Sequence, residues 1–188
     1  PDLGRIVLGV AGPRELLALK DSLAPLPEII TQLSPLTSPL FVETRTAWDN
    51  GMDLHILIEK ALQPEAPITL RDGGVIRDGY HAELDELRKA STEGKHWIAA
   101  LEAKERERTG IDSLKVRYNQ VFGYYIEITK TNLARVPADF IRKQTLVNAE
   151  RFMTPELKEL EERVTGAEVK LLALEQELFT QLRRSEEH

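Results

Sequence analysis

Two heptad seams with strand-forming sequence between them limit this chain more than any other feature. Leu157, Leu160, Val164, Ala167, Leu171, Leu174 and Leu178 alternate steps of three and four residues, so they share one side of a helix. Upstream, Tyr80, Leu84, Leu87, Ser91, Gly94, Ile98 and Leu101 form a second seam, weakened at Ser91 and Gly94. An apolar stripe on a lone helix is costly in water, and the nearest partner for each seam is the other. A chain that leaves on one helix and returns on the next makes the pair antiparallel. The polar run LEAKERERTG ends the outgoing helix at Gly110, a favourable residue just past a helix end. At 1.5 Å per residue such a helix reaches roughly 45 Å, too long for a compact core, so it is expected to project. Thr154-Pro155-Glu156 opens the returning helix with a cap, a proline at the first turn and an acid at the positive end of the dipole.

The sequence between the seams has strand chemistry. Residues 113–130, SLKVRYNQVFGYYIEITK, alternate and are rich in Val, Ile, Tyr and Phe. Leu114, Val116 and Tyr118 share one face, Tyr124, Ile126 and Ile128 share another, and Asn119-Gln120 is the expected turn. Lys143–Met153 is a further extended stretch. The expected fold is therefore mainly α with a small β insertion: a helical core, long antiparallel helices and a small β-sheet module at their tip. Ahead of the first seam, Gly12-Pro13 reads as a helix start, with Leu16, Leu17, Leu19 and Leu23 on one face. Pro25, Pro27, Pro35 and Pro39 punctuate the next segment. A helix is expected near 53–61, then a short hairpin over 66–79 closed at Asp72-Gly73-Gly74.

Several kinds of chemistry have no support. The chain has no cysteine, so it has no disulfide framework, thiolate metal site or thiol nucleophile, which fits a reducing cytoplasm. No apolar run approaches the 18 residues of a membrane span, and PDLGRIVLGVAGP does not read as a signal peptide. The start without Met reads as that of an excised fragment. His55, His81, His96 and His188 lack metal-ligand spacing. Gly73, Gly74 and Gly79 do not make a phosphate-binding loop, and no GxSxG occurs. No catalytic, cofactor or metal residue is expected. The acid-rich run from Glu156 to Glu162 reads as a solvated helix face.

Charge points instead to phosphate. The net charge is −6, yet residues 111–154 carry Lys115, Arg117, Lys130, Arg135, Arg142, Lys143 and Arg151 against Asp112, Glu127, Asp139 and Glu150. A basic island on an acidic body marks a contact zone for phosphate, with chance clustering as the alternative. Asn119, Gln120, Gln144, Thr145 and Asn148 add short neutral donors. Charge supplies affinity and neutral donors fix register, so the mixture suits a nucleic-acid backbone. No major-groove recognition helix is evident, so the expected hold reads no bases. Tyr118, Phe122, Tyr124, Tyr125 and Phe152 serve either as the core of the small sheet or as stacking platforms for single strands, and the first reading is preferred.

LKVRYNQVFGYYIEITK (114–130) and IRKQTLVNAERFMTPELKELEERV (141–164) resemble the clamp segment of bacterial MutS, a family of DNA mismatch-recognition ATPases. GPRELLALKDSL (12–23), LRDGGVIRDGYHAELDELRKAS (70–91) and LEAKERERTGI (101–111) resemble the family's core and lever helices. The resemblance implies a homodimeric ring around duplex DNA, with lever helices joining an ATPase domain to a clamp that touches the backbone without reading sequence. It implies core and lever over 1–94, clamp over 95–154 and returning lever helix over 155–188. It places backbone contacts at Asn119 and Asn148, with Arg142, Lys143, Lys130 and Arg151 as basic neighbours; Arg151 has the alternative of pairing with an acid inside the clamp. Lys115, Arg117 and Gln144 complete the candidate set. Implied partners are duplex DNA, a second subunit and downstream repair factors, in a bacterial cytoplasm at the nucleoid. ATP and Mg would belong to the parent protein. The family's mismatch-reading Phe-x-Glu motif lies in an N-terminal domain that these stretches do not resemble, and its Walker motifs do not occur in this sequence. This stretch is thus expected neither to read mismatches nor to hydrolyse ATP. The competing expectations are a helical arm that binds structured RNA and a purely structural coiled-coil spacer.

Overall fold

The computed structural model describes residues 3–184 as seven α-helices and one four-stranded sheet. The helices are α1 (Leu3–Val7), α2 (Pro13–Leu23), α3 (Leu26–Leu33), α4 (Pro39–Ala47), α5 (Met52–Ala61), α6 (Ala82–Thr109) and α7 (Pro155–Arg184). The strands β1 (Lys115–Asn119), β2 (Gly123–Thr129), β3 (Ile141–Thr145) and β4 (Ala149–Met153) lie between α6 and α7 in sequence. The mainly helical fold with a small β module is as expected. Among the described residues no helix is long and apolar enough to cross a membrane. The chain divides into two compact units, one holding residues up to Leu84 with those from Leu172 onward, the other Asp85–Leu171.

In the first unit, Pro13 starts α2, and the Glu15 carboxylate accepts the Gly12 N–H at 2.7 Å. Leu16 and Leu19 of α2, Ile58 and Ala61 of α5, and Leu178, Phe179 and Leu182 of α7 are buried. The prolines act as starts as well as stops: Pro25 caps α3 and Pro39 opens α4. The hairpin expected over 66–79 is absent. Leu62 and Ile76 form a lone bridge, and Leu70–Asp72 is a single 3-10 turn. The reason lies on α7. The buried Glu175 carboxylate accepts the N–H groups of Gly74, Val75 and Ile76 at 2.8, 2.9 and 2.9 Å, donors that a facing strand would otherwise use. Tyr80, expected to begin the first seam, precedes α6.

In the second unit the helices run antiparallel. Lys104 pairs with Glu156 at 2.7 Å and Lys95 with Glu168 at 2.6 Å, so positions fall along α6 as they rise along α7. The weak seam positions have reasons. Gly94 faces Val164, whose methyl would overlap a Cβ at that point. The buried Ser91 hydroxyl lies 3.4 Å from Glu168. Gly110, at φ +65°, ends α6. Arg106 then donates to the Leu114 carbonyl at 2.7 Å, and Glu102 accepts the Val116 N–H at 2.7 Å, turning the chain back along the helix. The stretch expected to be extended over 143–153 is two strands, β3 and β4, reversed at residues 146–148. Ile98, Leu101, Leu157 and Val164 from the helices close a core with Ile126, Ile128 and Phe152 from the sheet.

Candidate nucleic-acid interface

The sheet is antiparallel in the order β1-β2-β4-β3. Strand alternation sorts its side chains. Val116, Ile126, Ile128 and Phe152 belong to the face packed on the helices, while Lys115, Arg117, Tyr125, Glu127 and Arg151 belong to the other. Burial of the aromatics does not follow the faces: Phe152 is buried in the core, as the core reading requires, Tyr125 is buried on the opposite face against Arg151, and Tyr118 and Phe122 are 58% and 54% exposed. Tyr118 and Tyr124 pack with ring centres 4.9 Å apart, and burial pushes the Tyr124 phenol up from its ordinary pKa.

Two hairpin turns carry the candidate asparagines, and they lie at opposite ends of the sheet. At one end the Asn119 Oδ1 accepts the Val121 N–H at 2.8 Å and the Phe122 N–H at 3.3 Å, which closes the turn expected there. Gly123 comes next, at φ +72°. At the other end the Asn148 carbonyl accepts the Lys130 N–H at 3.1 Å. The seven steps from Gly123 to Lys130 correspond to about 23 Å of strand. Lys130 and Asn148 are therefore together and exposed at one end, with Asn119 at the other.

The cations differ in how tightly they are held. Lys115, Lys130 and Lys143 are exposed. Arg117 lies 3.8 Å from Glu127 and remains half exposed. Arg142 places its Nε 2.7 Å from the buried Glu150 carboxylate. Arg151 is anchored inside the module: it stacks 4.3 Å from the Tyr125 ring centre, donates to Gln144 at 2.8 Å and lies 3.6 Å from Glu127. Its geometry is thus that of internal pairing, and Gln144 is occupied with it. Arg108 bonds the Asp139 carboxylate at 3.0 Å, holds its pKa below the ordinary value, and so fixes the approach to β3.

A cavity of about 340 Å³ opens between the Asn119 turn and α7, lined by Val121, Phe122, Tyr125, Lys143, Lys158 and Glu161 among others. Lys158 and Glu161 had no signal in the sequence, and the helix face they occupy reads as merely solvated. The structure corrects this for Glu161, which accepts the Tyr124 N–H at 2.8 Å. Elsewhere, His55 Nδ1 lies 2.9 Å from the Lys20 carbonyl, and His188 lies outside the described residues. The described residues contain no cluster of three or more His, Cys, Asp or Glu fit to hold a metal.

A family model described as MutS family domain IV matches residues 79–170. The DNA mismatch repair protein MutS of Methanothrix thermoacetophila is 57% identical over 183 residues, covering 96% of this chain and 21% of that protein. The proteins of the same name from Alkaliphilus metalliredigens and Symbiobacterium thermophilum are 50% and 52% identical, covering 98% and 96% of this chain and 21% of each. The chain spans about a fifth of the length of these relatives. With the helix pair, the sheet between its arms and these identities in hand, the chain belongs to the MutS family.

Proposed function

We propose that this chain grips duplex DNA by its sugar-phosphate backbone, as the DNA-holding part of a mismatch-repair protein. One observation carries the reading: Lys115, Arg117 and Lys143 stand exposed on a sheet whose other face is closed by a core, with Lys130 exposed just past the end of β2 and Arg142 exposed on the edge strand β3, on the Phe152 side. Cations held on rigid strands attract phosphate at little cost in order, and the exposed Asn148 beside Lys130 supplies a neutral donor for register. The interface offers charge without a helix aimed at base edges, so the hold is indifferent to sequence and to mismatches. The wider protein would supply the mismatch reader, an ATPase that uses ATP and Mg, a second subunit and contacts to repair factors, in the cytoplasm at the nucleoid. The lever helices would link DNA contact to that ATPase.

The test is fluorescence anisotropy with matched and mismatched duplexes over a salt series. With about four phosphate contacts, log K should fall against log salt with a slope near −3.6. Lys143→Ala and Lys130→Ala should each weaken binding equally on both duplexes and reduce the slope by about 1. Arg142 is a poorer probe, because its loss also strips the partner from the buried Glu150. A mismatch preference, or binding that ignores salt, overturns the proposal. Tighter binding to A-form RNA than to DNA favours the RNA-arm reading.

A further inference from the structure

We infer that Glu161 is a positioning residue for the DNA hold: from α7, its carboxylate fixes the β1–β2 turn in the conformation that presents Asn119. The inference rests on the proposed DNA-gripping function.

The turn is held from two sides. On its inner side the Asn119 Oδ1 takes two N–H groups of the turn, so the side chain's remaining hydrogen-bonding group is the amide Nδ2 donor. On its outer side the sheet offers no support, since β4 pairs with β2 only from Ile126 onward. At Tyr124, where a neighbouring strand would accept the N–H, Glu161 accepts it instead at 2.8 Å. Gly123 makes this approach possible. It adopts φ +72°, and a Cβ there would overlap the Glu161 carboxylate. A side chain at 123 would evict the acid from the Tyr124 N–H. The turn thus moves with α7, and the apolar tips of Val121 and Phe122, 81% and 54% exposed, contribute little to holding it.

The position is electrostatically unexpected. Glu161 lines the same cavity as Lys143 and Lys158, so its charge opposes an approaching phosphate. If charge were all that mattered, removing it would tighten DNA binding. The positioning role makes the opposite prediction for one variant and not for its isostere, and this separates the two.

Glu161→Ala and Glu161→Gln are compared in the 188-residue chain by DNA anisotropy and by amide hydrogen exchange, with urea unfolding to verify that each variant is folded. Glu161→Ala should speed Tyr124 amide exchange and weaken DNA binding about three- to tenfold, the equivalent of one net hydrogen bond, although a negative charge has gone. Glu161→Gln keeps an oxygen acceptor and loses the charge, so it should bind at least as tightly as the wild type. Gly123→Ala should weaken binding more in the wild-type background than in Glu161→Ala, where the acid is no longer there to displace. Binding by Glu161→Ala that equals or exceeds the wild type, or unchanged Tyr124 exchange, overturns the inference. If the wild type shows no salt-dependent DNA binding, it is the DNA reading that fails. The exchange measurement still decides whether Glu161 holds the turn.

Discussion

Glu175 places a carboxylate where three consecutive N–H groups converge, those of Gly74, Val75 and Ile76. The side chain is buried, and Gly73 and Gly74, at φ +72° and +76°, shape the loop around it. Such donors lose their only good alternative when the acid is removed, because water does not reach them freely. Glu175→Ala should therefore lower stability by about 3 kcal/mol, and Glu175→Gln, which retains one acceptor oxygen, by about half as much. Urea unfolding measures both, and equal small losses would mean that the loop holds itself. Neither Glu175 nor Glu161 was legible in the sequence. A carboxylate on a helix shows its own period but not which backbone lies beside it, and both read as ordinary polar positions. The cations were legible, because a cluster of charge in sequence stays a cluster on a small sheet. Their pairing was not: that Arg151 is stacked on Tyr125 while Lys143 is exposed depends on strand register and on the irregularity between Arg142 and Gln144.

At the scale of elements, the two seams showed plainly in the sequence because a period of 3.5 over several turns has one structural reading. The first strand pair showed for the same reason at period two. What failed was short and lacked a period. The residues after Ala66 alternate too briefly to separate a hairpin from a loop laid across a helix, and the acceptor on α7 is a hundred residues away in sequence. The break at Gly94 looked like a weakness in the outgoing seam, and in the structure it is the contact itself. A glycine inside a helix costs about 1 kcal/mol against alanine, so Gly94→Ala would be stabilising if only propensity mattered. Val164 prevents this, since a β-branched side chain in a helix has essentially one rotamer and its methyl cannot turn away from the added Cβ. Overpacking of this kind costs about 1–3 kcal/mol, so Gly94→Ala should destabilise the protein. In a Val164→Ala background the same change should instead stabilise it by up to about 1 kcal/mol. A double-mutant cycle in urea reads this change of sign, and additive effects would show that Gly94 and Val164 do not meet.

At the scale of the whole molecule, the two units differ in how they are assembled from the chain. The first is discontinuous: it joins residues up to Leu84 with the end of α7, whose Phe179 and Leu182 are buried in it. The second is one unbroken stretch, Asp85–Leu171, and its core is furnished from within by α6, the sheet and α7. A segment that contains its own core and its own helix partners meets the requirement for folding alone. Every candidate phosphate contact, from Lys115 to Arg151, lies in that stretch, as do Glu161 and the Tyr124 N–H it holds. Residues 85–171 expressed alone should thus give a folded domain with the amide spectrum of the sheet intact. They should bind duplex DNA with the salt slope of the full chain, at somewhat lower stability because the cut at Asp85 removes the first turn of α6 and the cut at Leu171 falls in the middle of α7, so both helix ends will fray. Heteronuclear NMR and the same anisotropy titration would check both. A folded fragment without the salt-dependent hold would move the DNA contact into the first unit. A fragment that does not fold would mean that the sheet depends on the body from which its two helices come.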